Sequence, residues 1–161
     1  MKSKSIFAGV CAAFCLIICG CDFDFPLTTK PTRKIDERLL GDWVGVDKNG
    51  AKEDLMHVRQ FDDSTYVVSM DDEIYRAFHS DFADTLFLSV QELKPGSGKY
   101  LYFRWQLSAD GTQLSLKSVS TKVIPGATKN ARDVQRLIKE NLGNPKLFRD
   151  EVKFTRKKPS F

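Results

Sequence analysis

From Gly41 onward, the chain is a series of short runs of β-prone residues, each bounded by a cluster of turn-forming residues. Turn signals such as Asp110-Gly111 leave links of hairpin length between most neighbouring runs. The predicted strands are Gly41–Val46, Leu55–Phe61, Thr65–Met70, Ile74–His79, Thr85–Glu92, Tyr100–Leu107, Gln113–Ser120 and Val152–Arg156. We therefore expect a mainly β protein, an antiparallel meander of about eight strands that forms a closed or nearly closed barrel and so removes its edges.

One helix is predicted between the last two strands. Asn130 is a suitable N-cap, and Gly143 followed by Pro145 ends the helical pattern. One face is apolar and consists of Ala131, Val134, Leu137, Ile138 and Leu142. The other face is basic and carries Lys129, Arg132, Arg136 and Lys139. Two interpretations follow: the helix packs on the barrel with a solvated basic face, or it lies on anionic lipid headgroups.

The first 20 residues are typical of a secretory signal peptide. Lys2 and Lys4 precede the apolar run from Ile6 to Ile18, and the small residue Gly20 follows it. A membrane-spanning helix needs about 20 apolar residues, and this run has 13. The alternative is an anchor helix that is not cleaved.

The end of this segment, from Leu16 to Cys21, resembles the lipobox of bacterial lipoproteins. Ile18 occupies the aliphatic position, Gly20 the small position and Cys21 the position of the lipidated residue. The resemblance implies cleavage before Cys21, a diacylglyceryl thioether and an acylated amine. Two or more acyl chains give stable anchoring where one does not. We therefore expect a membrane-anchored protein of the cell envelope that faces the periplasm or the exterior. Asp22 favours the inner membrane, although the choice of membrane stays open.

These segments give a simple division of the chain. Residues 1–20 are predicted to be the cleaved signal peptide, residues 21–34 a lipid-anchored tether, and residues 35–161 the β-barrel domain. The tether is expected because Pro26 and Pro31 lie in a stretch without a periodic apolar pattern.

A second resemblance begins at the first strand. A short helical turn leads into Gly41-Asp42-Trp43, which resembles the Gly-x-Trp motif that opens lipocalin and calycin barrels. In that family the tryptophan closes one end of the barrel, and an arginine from a late strand packs across the indole. The resemblance implies a lipocalin-like barrel with Trp43 and Arg156 as its closing pair, a cation–π contact. The chain is also similar to small bacterial lipoproteins that end in a helix, a Leu-Phe step and a final strand.

The sixth strand carries the candidate ligand-lining residues. Alternation places Phe103 and Trp105 on one face, and Tyr100, Tyr102 and Arg104 on the other. Because both faces carry aromatic residues, the face that lines the interior stays open, and all five are candidates. A barrel of about eight strands is either filled by side chains or holds one small ligand.

No catalytic or metal-binding motif is evident. The histidines His57 and His79 could act as acid and base beside Asp81 or Asp84 only if folding brings them together. Acidic residues crowd two turns and offer oxygen ligands without the spacing of a calcium loop: Asp62, Asp63, Asp71, Asp72 and Glu73. We therefore predict no enzyme activity, no metal and no cofactor.

Charge is divided along the chain. Residues 42–92 contain 12 acids and 4 bases, whereas residues 117–158 contain 12 bases and 4 acids. The two segments either neutralise each other or give a basic surface that meets anionic lipid or an acidic partner. A nucleic-acid partner is disfavoured, because basic and aromatic residues do not interleave on one face. The favoured function is binding of an apolar or amphipathic ligand; the alternative is a filled, non-catalytic barrel that binds an envelope protein partner or has a structural role.

Overall fold

The computed structural model describes residues 23–46, 53–96 and 98–158 of the 161-residue chain. The predicted signal peptide and Cys21 lie outside the described residues. The strands are β1 (Gly41–Val46), β2 (Glu53–Gln60), β3 (Thr65–Met70), β4 (Glu73–His79), β5 (Phe87–Glu92), β6 (Tyr100–Leu107), β7 (Gln113–Ser118) and β8 (Val152–Arg156). The α-helix α1 spans Ala131–Asn141, between β7 and β8.

The strands form a closed antiparallel barrel in chain order. Each strand is hydrogen-bonded to the next, and β1 pairs with β8, with Trp43 opposite Arg156. This architecture confirms the predicted fold class, including the single helix before the last strand. Closure leaves none of the eight described strands with an open edge on which another chain could add a strand.

The two ends of the barrel differ. We call the end at which β1, β3, β5 and β7 finish the mouth end, and the opposite end the plugged end. A 3-10 helix at Glu37–Leu39 lies at the plugged end, directly before β1, and the Asp36 side chain caps it by accepting from the Arg38 N–H. The long connection between β7 and β8, residues 119–151, leaves from the mouth end.

Inward side chains of the strands form an inner core. Its largest members are Trp43, Tyr66, Trp105 and Phe154, all buried. Phe154 depends on the glycine directly opposite it on the neighbouring strand β1. A Cβ at Gly45 would lie 2.8 Å from the Phe154 ring, so the absence of a side chain makes room for the phenyl group.

A second apolar cluster, the outer core, lies outside the barrel wall. It covers the outward face of β5 and β6 with the N-terminal segment, α1 and the β7–β8 connection. Its fully buried members include Phe23, Leu27, Phe87, Ile124, Val134, Ile138 and Leu147. The start of β6, at Tyr100 and Tyr102, is therefore covered on its outward face as well, whereas Arg104 and Gln106 farther along that face are exposed.

The segment from Phe23 to Lys34 differs from the tether that its prolines predict. The Phe23 N–H and C=O pair with Tyr100 at 2.8 and 2.7 Å, and its ring stacks on Tyr102 with centroids 4.3 Å apart. The Leu27 N–H donates to the buried Ser89 hydroxyl at 3.0 Å. The physical reason is the burial of apolar surface, because its favourable free energy outweighs the conformational entropy that the segment loses when it is ordered.

The helix α1 packs on the barrel. Asn130 caps it as expected, with its side-chain oxygen accepting from the Asp133 N–H at 2.9 Å. Val134 and Ile138 are fully buried in the outer core, and the Gln135 amide donates to the Leu27 carbonyl at 2.8 Å. The basic face opposite stays exposed.

Candidate ligand-binding cavity

An apolar cavity of about 90 Å³ lies inside the barrel. Its wall is made mainly of aliphatic side chains from the inward faces of the strands, among them Val58, Val68, Leu88, Val90, Leu101 and Leu116. Such a space offers water very few hydrogen bonds, so it favours apolar guests.

The cavity runs toward the mouth end. Leu39 lines it from the plugged end, whereas Ser118, Asp150 and Val152 line it where β7 finishes and β8 begins. Asp150 is exposed to solvent, so the cavity reaches the surface there. Ser118 is buried, and among the described residues its hydroxyl has no hydrogen-bond partner. One free hydroxyl thus faces an otherwise apolar space near its opening.

The structure separates the five candidate residues of β6. Phe103 lines the cavity, and Trp105 belongs to the inner core beside it. Tyr100 and Tyr102 point outward into the outer core, where the Tyr102 hydroxyl donates to the Phe25 carbonyl and burial raises its pKa. Arg104 also points outward. Only the Phe103 face is therefore available to a ligand in the cavity.

The plugged end is closed by the two residues that the calycin resemblance singles out. The guanidinium carbon of Arg156 lies 4.2 Å from the centroid of the Trp43 ring, and the indole N–H donates to the Leu39 carbonyl at 2.9 Å. The guanidinium also donates to the carbonyls of Leu40 and Gly111. These contacts close the plugged end of the barrel.

His79 is a buried group of the plugged end. Its Nε2 lies 2.8 Å from the Tyr66 hydroxyl, which accepts from the Asp36 N–H at 2.5 Å. Burial lowers the pKa of His79 and raises the pKa of Tyr66 to about 12, so both are neutral at pH 7. The side chain is fully buried and no part of the described cavity wall. It therefore has no route to a bound molecule.

The other histidine lies on the opposite side of the barrel wall. His57 Nδ1 lies 2.8 Å from the Asp42 carboxylate, and Arg59 donates to the same oxygen at 2.6 Å. His57 and Arg59 together lower the pKa of Asp42. Asp81, the predicted orienting carboxylate, pairs with Arg33. The structure thus does not bring the two histidines together.

In the first of the two acidic turns, Asp62 stabilises the turn itself. The Asp62 carboxylate accepts from the N–H and the hydroxyl of Ser64 at 2.8 and 3.1 Å, and the N–H contact lowers the pKa of Asp62. Across residues 23–46, 53–96 and 98–158, no three His, Cys, Asp or Glu side chains are grouped so as to hold a metal ion. In the same part of the chain no helix has the length and apolarity to cross a membrane.

A charged groove of about 440 Å³ adjoins the mouth. It lies between the outward faces of β6 and β7 and residues 142–151 of the β7–β8 connection. Its charged lining residues are Arg104, Lys117, Arg149, Asp150 and Glu151. Asp150 lines both this groove and the apolar cavity, so the two spaces meet at the rim.

Most cavity-lining residues were missed in the sequence, although a signal for them exists. In β7, and in β5 after Phe87, apolar inward residues alternate with small or polar outward ones, as in Leu88-Ser89-Val90. Pairing β6 with these strands places Leu101 and Phe103 on the same face as Val90 and Leu88. Alternation in the neighbouring strands therefore identifies the inward face that β6 alone leaves open.

Comparison with known proteins adds no relative to this description. No protein family, no curated protein and no solved structure matches the chain.

Proposed function

We propose that this chain is a non-catalytic, lipid-anchored protein of the bacterial cell envelope whose barrel binds one small apolar or amphipathic ligand. The observation that supports binding is the apolar cavity, which opens at the mouth end while Trp43 and Arg156 close the other. An engineered apolar cavity of about 150 Å³ stays dry and binds benzene. A space of about 90 Å³ admits a slimmer group, such as a segment of an acyl chain.

Two methionines give this cavity room to adapt. Met56 and Met70 both line it. Methionine has three rotatable bonds and a polarisable sulfur, so it fills irregular space and repacks readily around a guest. A ligand somewhat larger than the empty cavity can therefore enter by displacing these side chains rather than the barrel wall.

Uptake of lipid tests the binding proposal directly. The chain from residue 22 onward contains every described residue and both cores. Exported to the periplasm of a bacterium behind a separate cleavable signal peptide, it can be purified and examined by native mass spectrometry with lipid extraction. We expect one copurified or added lipid per chain. Protein that carries no lipid and takes up no added fatty acid would contradict the proposal.

A cavity-filling substitution sharpens this test. Ala77 is buried and lines the cavity, so Ala77→Leu places additional methyl groups in the empty space. We expect this variant to stay folded and to lose lipid uptake. The matched control is Ala109→Leu, because Ala109 lies in an exposed turn. Equal uptake by both variants would place the ligand outside the cavity.

The anchoring part of the proposal rests on the lipobox resemblance at Cys21. With Cys21→Ser we expect the loss of palmitate labelling and a chain that remains uncleaved or unlipidated. Labelling that is unchanged by the substitution would overturn this assignment.

A filled barrel is the second candidate, and the small cavity favours it. Trp43, Tyr66, Trp105 and Phe154 occupy most of the interior, and about 90 Å³ is left. Such a barrel would act through its surface, as a binder of an envelope protein partner or as a structural factor. If lipid uptake is absent, crosslinking in intact envelopes is the experiment that identifies a partner.

A further inference from the structure

We infer that the ligand is an acidic amphiphile, with its apolar chain in the barrel cavity and its anionic head in the charged groove at Arg104 and Lys117. This inference rests on the proposed function, since it needs the cavity to hold the apolar chain. It adds the chemical class of the ligand and a binding site on the outer surface of the barrel.

The first argument is the juxtaposition of two cations. Arg104 on β6 and Lys117 on β7 are directly opposite cross-strand partners on the outward face. Like charges in such positions destabilise a sheet. Among the described residues neither side chain forms a salt bridge, whereas nearby Lys153 pairs with Glu151 at 3.5 Å. An anion bound between Arg104 and Lys117 would relieve this repulsion.

The second argument is the preorganisation of Arg104. Its guanidinium carbon lies 5.6 Å from the centroid of the Phe148 ring, which also borders the groove. Stacking on an aromatic face leaves the N–H edges of a guanidinium free to donate. Those edges match the geometry of a carboxylate or a phosphate, which they bind through two parallel hydrogen bonds.

The third argument is the connection between groove and cavity. Lys117 points outward into the groove, and the next residue, Ser118, lines the cavity. The Arg149 N–H donates to the Ser118 carbonyl at 2.9 Å, and Asp150 lines both spaces. A molecule that crosses the rim here passes from the apolar inner face of the barrel wall to its cationic outer face, where two consecutive residues of β7 line the two spaces. The unpartnered Ser118 hydroxyl is placed to bond its polar part.

The charged lining of the groove has a positive excess. The bases Arg104, Lys117 and Arg149 and the acids Asp150 and Glu151 sum to 3 − 2 = +1, and nearby Lys153 pairs with Glu151 at 3.5 Å. This positive excess favours a head with a negative charge. A fatty-acid carboxylate fits this requirement.

The experiment compares two probes that differ in their heads alone, decanoic acid and 1-decanol, by calorimetric titration of the chain from residue 22 onward. We expect decanoic acid to bind about tenfold more tightly at pH 8, where it is ionised. The difference should shrink as salt is added, because the groove is open to solvent and its charges are screened.

Two double variants then test where the carboxylate head of decanoic acid binds. Arg104→Gln with Lys117→Gln keeps the side-chain stems and removes both groove charges, and we expect it to weaken decanoic acid about tenfold and leave 1-decanol unchanged. Arg132→Gln with Lys139→Gln removes the same charge from the exposed face of α1, and we expect no effect on either probe. Thermal melts confirm that all the variants are folded.

The outcomes separate this inference from the proposed function. If 1-decanol binds as tightly as decanoic acid, or if the groove variant binds decanoic acid as tightly as the α1 control, the inference is overturned while the cavity proposal stands. If neither probe binds, both are overturned.

Discussion

Arg156 shows how a single residue can hold one end of a barrel together. Its guanidinium lies over Trp43 and donates to the carbonyls of Arg38 and Leu40, just before β1, and of Gly111 in the β6–β7 turn. The position of Arg156 also explains why residue 41 is a glycine. Gly41 has φ +132°, and a Cβ there would lie 2.7 Å from Arg156 Nη1. The Gly-x-Trp motif therefore supplies both the aromatic face and the space that the arginine needs.

Substitution of Arg156 tests this role. Arg156→Ala removes the cation–π contact and leaves part-buried carbonyls without donors, so we expect the free energy of unfolding to fall by about 2 kcal/mol or more. Urea denaturation measures the change. Arg136→Ala is the control, because Arg136 pairs with Glu140 on the exposed face of α1 at 3.1 Å and such pairs contribute about 0.3–0.5 kcal/mol. Equal losses in the two variants would contradict the role of Arg156.

The pKa of His79 predicts a pH dependence of stability. Burial lowers this pKa from its ordinary value of 6.5; the Arg33 charge also lowers it, whereas Asp81 and Asp36 oppose the shift. Below pH 6.5 the unfolded chain takes up a proton that the folded chain does not. The free energy of unfolding should therefore fall as the pH drops from 6.5 toward 5, by at most about 1.4 kcal/mol per pH unit.

Two histidine variants isolate this effect. His79→Gln should be less stable at pH 7 and show a flatter dependence between pH 6.5 and 5, because the buried titrating group is gone. His57→Gln should retain the dependence, because His79 is still present. Urea denaturation at several pH values gives both slopes. A slope that persists in His79→Gln would assign the effect to another group.

At the scale of elements, the N-terminal segment behaves as part of the fold. Phe23 is 1% exposed and stacked on Tyr102. Because truncation of a buried phenylalanine typically costs about 3–5 kcal/mol, we expect Phe23→Ala to lower the free energy of unfolding by about 3 kcal/mol. Phe61→Ala is the control. Because Phe61 is 70% exposed, its truncation should lower the free energy of unfolding only slightly. A negligible loss at Phe23 would mean that the segment is detached in solution.

The sequence predicts the strands and α1 well, because their signals are local. Alternation, turn residues and helix caps fix the predicted bounds of β1, β3, β6 and β8 as observed, and Asn130 marks the start of α1 correctly. The N-terminal segment was missed, although Phe23, Phe25 and Leu27 alternate with other residues. Pro26 and Pro31 and the lack of a longer apolar pattern favoured a tether. The packing of Phe23 on Tyr102 depends on a distant part of the chain, which no local pattern indicates.

The candidate site was predicted less completely, for a physical reason. A strand buried on one face reveals that face by alternation, but β6 is covered inside by the inner core and outside by Phe23 and α1. Its outward face therefore carries the aromatic residues Tyr100 and Tyr102, while Phe103 and Trp105 are aromatic on the inward face. The size of the cavity depends on how side chains from all eight strands pack together, so no local sequence pattern predicts it.

At the scale of the whole molecule, the described part of the chain begins at the mouth end of the barrel, two residues after the proposed anchor site. Phe23 pairs with Tyr100, the first residue of β6, which is at the mouth end. Cys21 precedes Phe23 by two residues, and two residues span at most about 7 Å. If Cys21 carries acyl chains, the mouth is held next to the bilayer. Exposed bases of the adjoining β7–β8 connection, Lys129, Arg132 and Lys139, would then be attracted to anionic lipid.

A matched pair of exposed apolar residues tests this orientation. Leu93 follows β5 at the mouth end and is 52% exposed, whereas Phe61 follows β2 at the plugged end and is 70% exposed. In the acylated protein on vesicles, an environment-sensitive dye at Leu93→Cys should be quenched by quencher-bearing lipids much more strongly than the same dye at Phe61→Cys. Cys21→Ser should abolish both signals, because the protein then leaves the vesicles. Equal quenching at the two positions would show that the anchored barrel has no preferred orientation. Stronger quenching at Leu93 would mean that an acidic amphiphile can pass from the bilayer into the cavity without crossing bulk water, and exposure of its apolar chain to water is the costliest step of such a transfer.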